Sequence, residues 1–178
     1  MLNPPPPYVI DLESTVDETV IALAALPESV VTWRPKPAAW SVKEIIGHLI
    51  DSAANNHQRF VRAEGQADLV FGGYAQDEWV RVQSYDAAPW HELLGLWRSY
   101  NRHIARVMCA VPASVRAKPH ARHNLHEIGW KPFDAATPAT LDDLMEDYVG
   151  HMHHHLAQVQ DRVYAATEAA RTQPFVRG

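Results

Sequence analysis

The chain has a single cysteine, Cys109, in 178 residues, so no intramolecular disulfide can form. One thiol is typical of a reducing compartment, and the apolar neighbours of Cys109 predict a buried structural side chain. No lysine and arginine cluster is present that would follow a phosphate backbone, and the formal net charge is −5. No apolar run is as long as a membrane span, and the first residues lack the regions of a signal peptide. We therefore expect a cytoplasmic protein that acts on a small molecule, not on nucleic acid or a membrane.

Several catalytic motifs are also missing. The chain has no paired cysteines and histidines for structural zinc, no glycine-rich phosphate loop and no Gly-x-Ser-x-Gly turn of a hydrolase triad. What it does have is an ordinary globular composition, 47% hydrophobic and 21% charged. Its length predicts a single domain over residues 1–178.

Apolar periodicity and stop signals predict four amphipathic helices, at about residues 8–26, 41–64, 89–112 and 140–170. Ser41 and Glu44 match a capping box, which marks the start of the second helix. Residues 65–86 and 112–139 lack periodicity and predict two long irregular connections. The expected fold class is all-α, a four-helix bundle with two long crossover loops.

Two histidines of the fourth helix have the spacing of metal ligands. His151 and His155 are one helical turn apart at the edge of the apolar face, so their imidazoles could share a metal ion. The alternative is a polar helix flank that happens to be rich in histidine. Helical angles direct His153 to one side and His154 towards solvent, which sets both aside.

The second helix carries His48 in a polar seam with Ser52, Asn55 and Arg59, with Asp51 beside it. Such a seam is usually a solvated face, and this interpretation is favoured from the helix alone. If the seam faces the interior of the bundle, His48 becomes a third metal ligand. Asp51, Ser52 and Asn55 could then orient the ligands through hydrogen bonds.

A further histidine cluster, His120, His123 and His126, lies in the second long connection. A spacing of three would suit a site on a helix or turn. Because no regular structure is predicted there, a solvated or partly packed loop is the favoured interpretation.

Two segments resemble motifs of the DinB/YfiT-like superfamily. The first is Trp-Ser-Val-Lys-Glu-Ile-Ile-Gly-His-Leu-Ile-Asp-Ser, residues 40–52, followed by Asn55 and Arg59-Phe60. The second is His-Met-His-His-His-Leu-Ala-Gln-Val, residues 151–159. Their order and separation also match, so that the resemblance covers most of the chain, and it is closer to the YfiT branch, which includes bacillithiol S-transferases.

The resemblance implies an up-down-down-up bundle that commonly forms a homodimer, and a metal site of His48, His151 and His155 that holds zinc or nickel. It implies a metal-dependent enzyme, either an S-transferase that joins a low-molecular-weight thiol to an electrophile, or a hydrolase. The alternatives are a non-catalytic, stress-associated metal-binding protein, and a structural bundle with an adventitious histidine cluster. Arg59 or Arg62 could bind an acidic group of the thiol, although solvation at the surface is favoured for both.

Overall fold

The computed structural model describes residues 4–172, which contain four long helices and several short ones. In chain order the elements are α1 (Pro7–Leu23), α2 (Glu28–Val31), α3 (Val42–Ala63), α4 (Gln76–Gln83), a 3₁₀ turn (Tyr85–Ala87), α5 (Trp90–Ala110), α6 (Ala113–Arg116), α7 (Leu125–Ile128) and α8 (Leu141–Thr172). Within the described residues, β pairing is limited to two isolated bridges. The predicted all-α four-helix bundle, built from α1, α3, α5 and α8, is confirmed.

Two of the long helices, α3 and α8, begin at the positions that the sequence predicts, and each begins with a capping box. Ser41 Oγ accepts from the backbone N–H of Glu44 at 3.2 Å, and the Glu44 carboxylate accepts from the N–H of Ser41 at 2.8 Å. Thr140 and Asp143 make the same reciprocal pair before α8, at 3.1 and 2.7 Å. Each arrangement satisfies amide donors that the first helical turn leaves free.

Contacts between helix ends establish the directions of the helices. Trp90 Nε1, at the start of α5, donates to the Leu23 carbonyl at the end of α1 at 3.0 Å, so these helices are antiparallel. The Tyr8 hydroxyl, at the start of α1, donates to Asp142 at the start of α8, so these two are parallel.

Helices α3 and α8 are antiparallel. His48, early in α3, lies beside His155, with ring centroids 4.5 Å apart, whereas Phe60, late in α3, lies beside Tyr148, at 5.9 Å. Together with the two previous pairs, this makes α3 and α5 parallel, and the order is up-down-down-up as the resemblance implied.

The bundle core consists of the apolar stripes that periodicity predicts. Side chains of all four long helices meet there, including Leu12, Val16, Ile45, Ile46, Leu49, Phe60, Leu93, Trp97, Ile104, Met108, Leu141, Met145, Met152 and Val159. No helix within residues 4–172 is long and apolar enough to cross a membrane. Cys109 is exposed, so the prediction of a buried thiol was wrong. It follows the buried Met108 by one residue, and a step of about 100° turns it out of the core.

The first long connection is more regular than predicted, because it contains α4 and the 3₁₀ turn. It packs on α3, where the Tyr85 ring lies directly over Gly47. A Cβ atom at residue 47 would be only 2.1 Å from Tyr85 Cδ2, so this contact requires glycine. The Tyr85 hydroxyl donates to Asp51 Oδ1 at 2.6 Å. The polar side of α3 is therefore covered by its own downstream connection.

Candidate metal centre

Three imidazole rings converge between α3 and α8. These bundle histidines are His48, His151 and His155, and one ligand atom from each lies within 4.8 Å of the others. The Nε2 atom of His151 is 3.3 Å from Nε2 of His48 and 3.0 Å from Nε2 of His155. Two nitrogens that each lie 2.0–2.1 Å from a tetrahedral zinc ion are roughly 3.3 Å apart. The three nitrogens are therefore spaced as ligands of one divalent cation would be.

The fold brings in His48 from the polar seam of α3, which we expected to be solvated. Its side chain is 0% exposed, so that expectation was wrong. Trp40 and Tyr74 pack near its ring, with centroids 5.0 and 6.5 Å away. Because the connection after α3 and helix α8 both cover this seam, a helix face that is polar in sequence becomes an interior wall of the bundle.

All three bundle histidines are held in the neutral form that binds metals. Burial, with a contribution from His155, lowers the pKa of His48 to about 3. Burial and the neighbouring imidazoles lower the pKa of His151 to about 3 as well. Burial also lowers the pKa of His155. A neutral imidazole keeps one nitrogen lone pair free for coordination.

A hydrogen bond at the far side of the His155 ring favours the tautomer that frees Nε2. Gln158 Oε1 lies 3.0 Å from Nδ1 of His155, and an amide oxygen can only accept, so Nδ1 donates there. Ser52 Oγ lies 3.4 Å from Nδ1 of His151. Such partners orient histidine ligands and fix their tautomers. The buried Nδ1 of His48 has no hydrogen-bond partner among residues 4–172.

Of the three residues expected to orient the histidines, only Ser52 contacts one of them. Asp51 Oδ1 accepts from Tyr85 and Gln83, and no bond joins Asp51 to a bundle histidine within the described chain. Burial raises the pKa of Asp51. Asn55 donates to the backbone oxygen of Asp51 at 2.9 Å. Asp51 therefore holds α3 to its cover, whereas the bond of Asn55 lies within α3 itself. Sequence reasoning missed Gln158, although its place three residues after His155 puts it on the same flank.

A cavity of about 370 Å³ opens beside His151 and His155. Its walls include Tyr74 from the first connection and Trp130 from the second. Burial raises the pKa of Tyr74 to about 12, so its hydroxyl keeps its proton near neutral pH. Arg59 also lines the cavity and is only 7% exposed, which contradicts its expected solvation.

The remaining histidines of α8 lie outside the converging group. His153 is exposed, and its Nε2 is 2.9 Å from Asp11 Oδ2. His154 is also exposed, but it lines the cavity, with its ring centroid 5.7 Å from that of Trp130. Helical angles set both aside correctly, but they do not reveal that His154 faces the cavity.

A second group of histidines lies in the second long connection. Within residues 4–172, these loop histidines do not converge on a point that could hold a metal ion: His120, His123 and His126. His120 and His123 are buried, whereas His126 is exposed. Of the two interpretations, a solvated or a partly packed loop, the burial of His120 and His123 therefore supports the packed one.

The comparisons with known proteins are consistent with this geometry. The sequence model of the DinB superfamily matches residues 11–159. The chain belongs to the DinB superfamily. No curated protein sequence matches it. Among solved structures it is similar to YfiT from Bacillus subtilis, which is described as a probable metal-dependent hydrolase with an unusual four-helix bundle topology. The match has a TM-score of 0.71 and 18% identity, and covers 89% of this chain and 85% of that one.

Proposed function

We propose that His48, His151 and His155 hold a divalent cation, zinc or nickel, and that the protein is a metal-dependent thiol S-transferase. The observation that carries the proposal is the convergence of three neutral imidazole nitrogens, 3.0 and 3.3 Å apart, beside a cavity. Catalytic zinc sites typically have three protein ligands and one position for water or substrate. YfiT, a protein of similar fold, is described as a probable metal-dependent hydrolase.

A divalent cation in this position would lower the pKa of a bound thiol and supply a thiolate nucleophile near neutral pH. In the transfer, a sulfur–carbon bond forms, the bond from that carbon to its leaving group breaks, and the thiol proton goes to solvent or to the departing group. Tyr74 offers a protonated hydroxyl on the cavity wall that can donate a hydrogen bond to the departing group.

The polar groups of the cavity favour thiol transfer over hydrolysis. Hydrolytic metal sites commonly use a carboxylate as general base. The carboxylate on this cavity wall is Asp147, and its two oxygens accept from the backbone N–H groups of Trp130 and Lys131, at 2.9 and 2.8 Å. Hydrolysis remains the second candidate, on the basis of YfiT.

Metal content tests the site. Protein purified without an affinity tag should contain about one divalent ion per chain by mass spectrometry of the metals. His48→Ala and His155→Ala should lose it, because each removes a ligand. His153→Ala is the matched control from the same helix and should keep it. Unchanged metal content in the first two variants would refute the site.

A rate assay separates transferase, hydrolase and metal-binding protein. The metal-loaded protein should consume an alkylating electrophile only when a thiol is present, and the variant with all three bundle histidines replaced by alanine should not. Ester cleavage without thiol would instead support hydrolysis. Equal rates for wild type and the triple variant would leave a non-catalytic metal-binding protein. Size-exclusion chromatography tests the homodimer that we also propose.

A further inference from the structure

Arg59 is a buried cation whose hydrogen-bond partners are neutral. Its side chain is 7% exposed in the cavity beside the bundle histidines. Its Nη1 group donates to Asn56 Oδ1 at 3.2 Å, and its Nη2 group donates to the Gly72 carbonyl at 2.9 Å. A guanidinium has five N–H donors, so these two bonds leave donor capacity for a further partner.

The other buried cations of the described chain show what Arg59 lacks. Lys43 forms an ion pair with Glu28. Arg116 forms one with Asp142. A buried charge is normally paired, because removing it from water is costly. Within residues 4–172 no carboxylate forms an ion pair with Arg59, and its two bonds reach an amide oxygen and a backbone oxygen.

Asp147 is the acidic residue on the same cavity wall, and it attracts Arg59 at longer range. Its carboxylate is already engaged by two backbone donors, from Trp130 at 2.9 Å and Lys131 at 2.8 Å. Burial raises the pKa of Asp147, and within residues 4–172 no ion pair joins its carboxylate to Arg59. The guanidinium thus keeps room for an anion that the protein itself does not supply.

The position of Arg59 defines the length of a suitable ligand. Ser52 contacts His151 and lies seven residues before Arg59 on α3, a rise of roughly 10 Å. Asp147 lies four residues before His151 on α8, a rise of roughly 6 Å. Ile128 and Trp130 contribute apolar surface to the same cavity. A ligand with one end at the bundle histidines therefore needs a short, largely uncharged spacer to reach the guanidinium.

We propose that Arg59 binds the carboxylate of an acidic thiol substrate, with the thiol at the bundle histidines and the acid roughly 6–10 Å away along the cavity. This inference rests on the proposed function, because it places the thiol at the metal centre. It adds the substrate class: an anionic thiol and not a neutral one.

Matched probes test the charge without changing the protein. Mercaptohexanoate and mercaptohexanol carry a thiol and, at the other end of the same six-carbon chain, an acid or an alcohol. Calorimetric titration of the zinc-loaded protein should show roughly 10-fold or greater preference for the acid, the size of one charge-assisted hydrogen-bonded pair. Equal affinities would overturn the proposal.

Variants then assign the preference to one residue. Arg59→Gln should abolish the preference for the acid, and Arg59→Lys should retain part of it because the charge remains. Arg62→Gln is the matched control, since Arg62 is exposed on the same helix and bonds to Gln58. A preference that survives in Arg59→Gln, or that disappears in Arg62→Gln, would contradict the assignment. If Arg59→Gln does not fold, the proposal is tested by the preference for mercaptohexanoate over mercaptohexanol in the wild type and in Arg59→Lys.

Two further titrations separate failure of this inference from failure of the proposed function. Hexanoate, which has no thiol, should bind chelator-treated wild type and lose affinity in Arg59→Gln, whatever happens at the metal. Mercaptohexanol binding should depend on zinc and be lost in His48→Ala, whatever happens at Arg59. If only the first pattern is found, the anion site stands without the metal chemistry. If only the second is found, the metal chemistry stands and the anion site is refuted.

Discussion

The bundle histidines and the loop histidines are two groups of three in the same chain, and their nitrogens face different partners. In the bundle group, Nε2 atoms face one another at 3.0 and 3.3 Å. In the loop group, Nδ1 of His120 lies 2.8 Å from the Ala67 carbonyl, and Nε2 of His123 lies 2.9 Å from the Thr137 carbonyl. The nitrogens of His120 and His123 are thus committed to backbone groups, whereas the Nε2 atoms of the bundle histidines face one another.

The difference shows that burial and spacing do not by themselves identify a metal site. His120 and His123 are as buried as His155, at 6%, 7% and 8% exposed. What separates the groups is the atom that each ring nitrogen faces. A carbonyl takes the N–H of a neutral imidazole in a satisfied hydrogen bond, and this ties the connection to its neighbours. Three facing nitrogens cannot all satisfy one another, since each neutral ring has one proton.

At neutral pH, the largest expected effect is the difference in stability between the protein with and without metal. An ion that binds only the folded state stabilises it by about 4 kcal/mol when its free concentration is about 1,000 times Kd. A chelator should therefore lower the unfolding midpoint of the wild type and of His120→Ala, but not that of His48→Ala. Thermal unfolding with and without chelator measures this. An equal response of wild type and His48→Ala would abolish the distinction between the two groups.

Acid should next destabilise the metal-free protein through the bundle histidines. In the folded state the pKa of His48 and of His151 is about 3, against 6.5 for the free side chain, so the unfolded chain binds more protons between these values. Their stabilising effect is complete above pH 6.5 and is lost progressively as the pH falls towards 3, at about 1.4 kcal/mol per pH unit for each histidine. Urea titrations of chelator-treated protein at several pH values give the free energy of unfolding. This free energy should fall less steeply with decreasing pH in His151→Gln than in the wild type. Equal slopes would refute this origin of acid sensitivity.

Removing the outer hydrogen-bond partners should weaken metal binding without abolishing it. Ser52→Ala and Gln158→Ala each free the Nδ1 group of one ligand, and such losses typically cost 10–100-fold in affinity. Competition with a chromophoric chelator measures the change. Asn55→Ala is the matched control, because Asn55 bonds to the backbone oxygen of Asp51 and not to a histidine. Similar losses in all three variants would mean that the effect is not transmitted through the ligands.

The smallest effects belong to the loop histidines. His120→Ala and His123→Ala should each lower the free energy of unfolding by about 1–2 kcal/mol, because each leaves a backbone carbonyl without its partner. His126→Ala, at an exposed position, should change it by less than about 0.5 kcal/mol. Urea unfolding measures the stability, and metal content should stay at the wild-type level in all three. Loss of metal in any of them would make the loop group part of the site.

Much of the bundle could be predicted because its signals are local. The capping residues Ser41 and Thr140 mark helix starts within four residues of sequence, and the apolar stripes need only a few turns to be recognised. Helix α4 was missed because eight residues make about two turns, too few for a clear period. The single domain over residues 1–178 stays a prediction.

Within the candidate site, the sequence predicted correctly which side chains are neighbours when both lie on the same helix. His151 and His155 are neighbours because of a four-residue spacing on α8. The environments of His48 and Arg59 were misjudged because both lie on a polar face of α3 that looks solvated in isolation. Burial there comes from Tyr74, Tyr85 and α8, which the sequence of α3 does not contain.

The amino-acid sequence alone determined the four helices, their caps, their apolar faces and the pairing of His151 with His155. These follow from backbone hydrogen bonding and the fixed 3.6-residue period. Only the tertiary structure decided that His48, 103 positions before His151, turns its Nε2 atom towards it, and that Arg59 is enclosed in the same cavity. A helix sets the direction of each side chain, but the element that covers it is decided by the packing of distant segments.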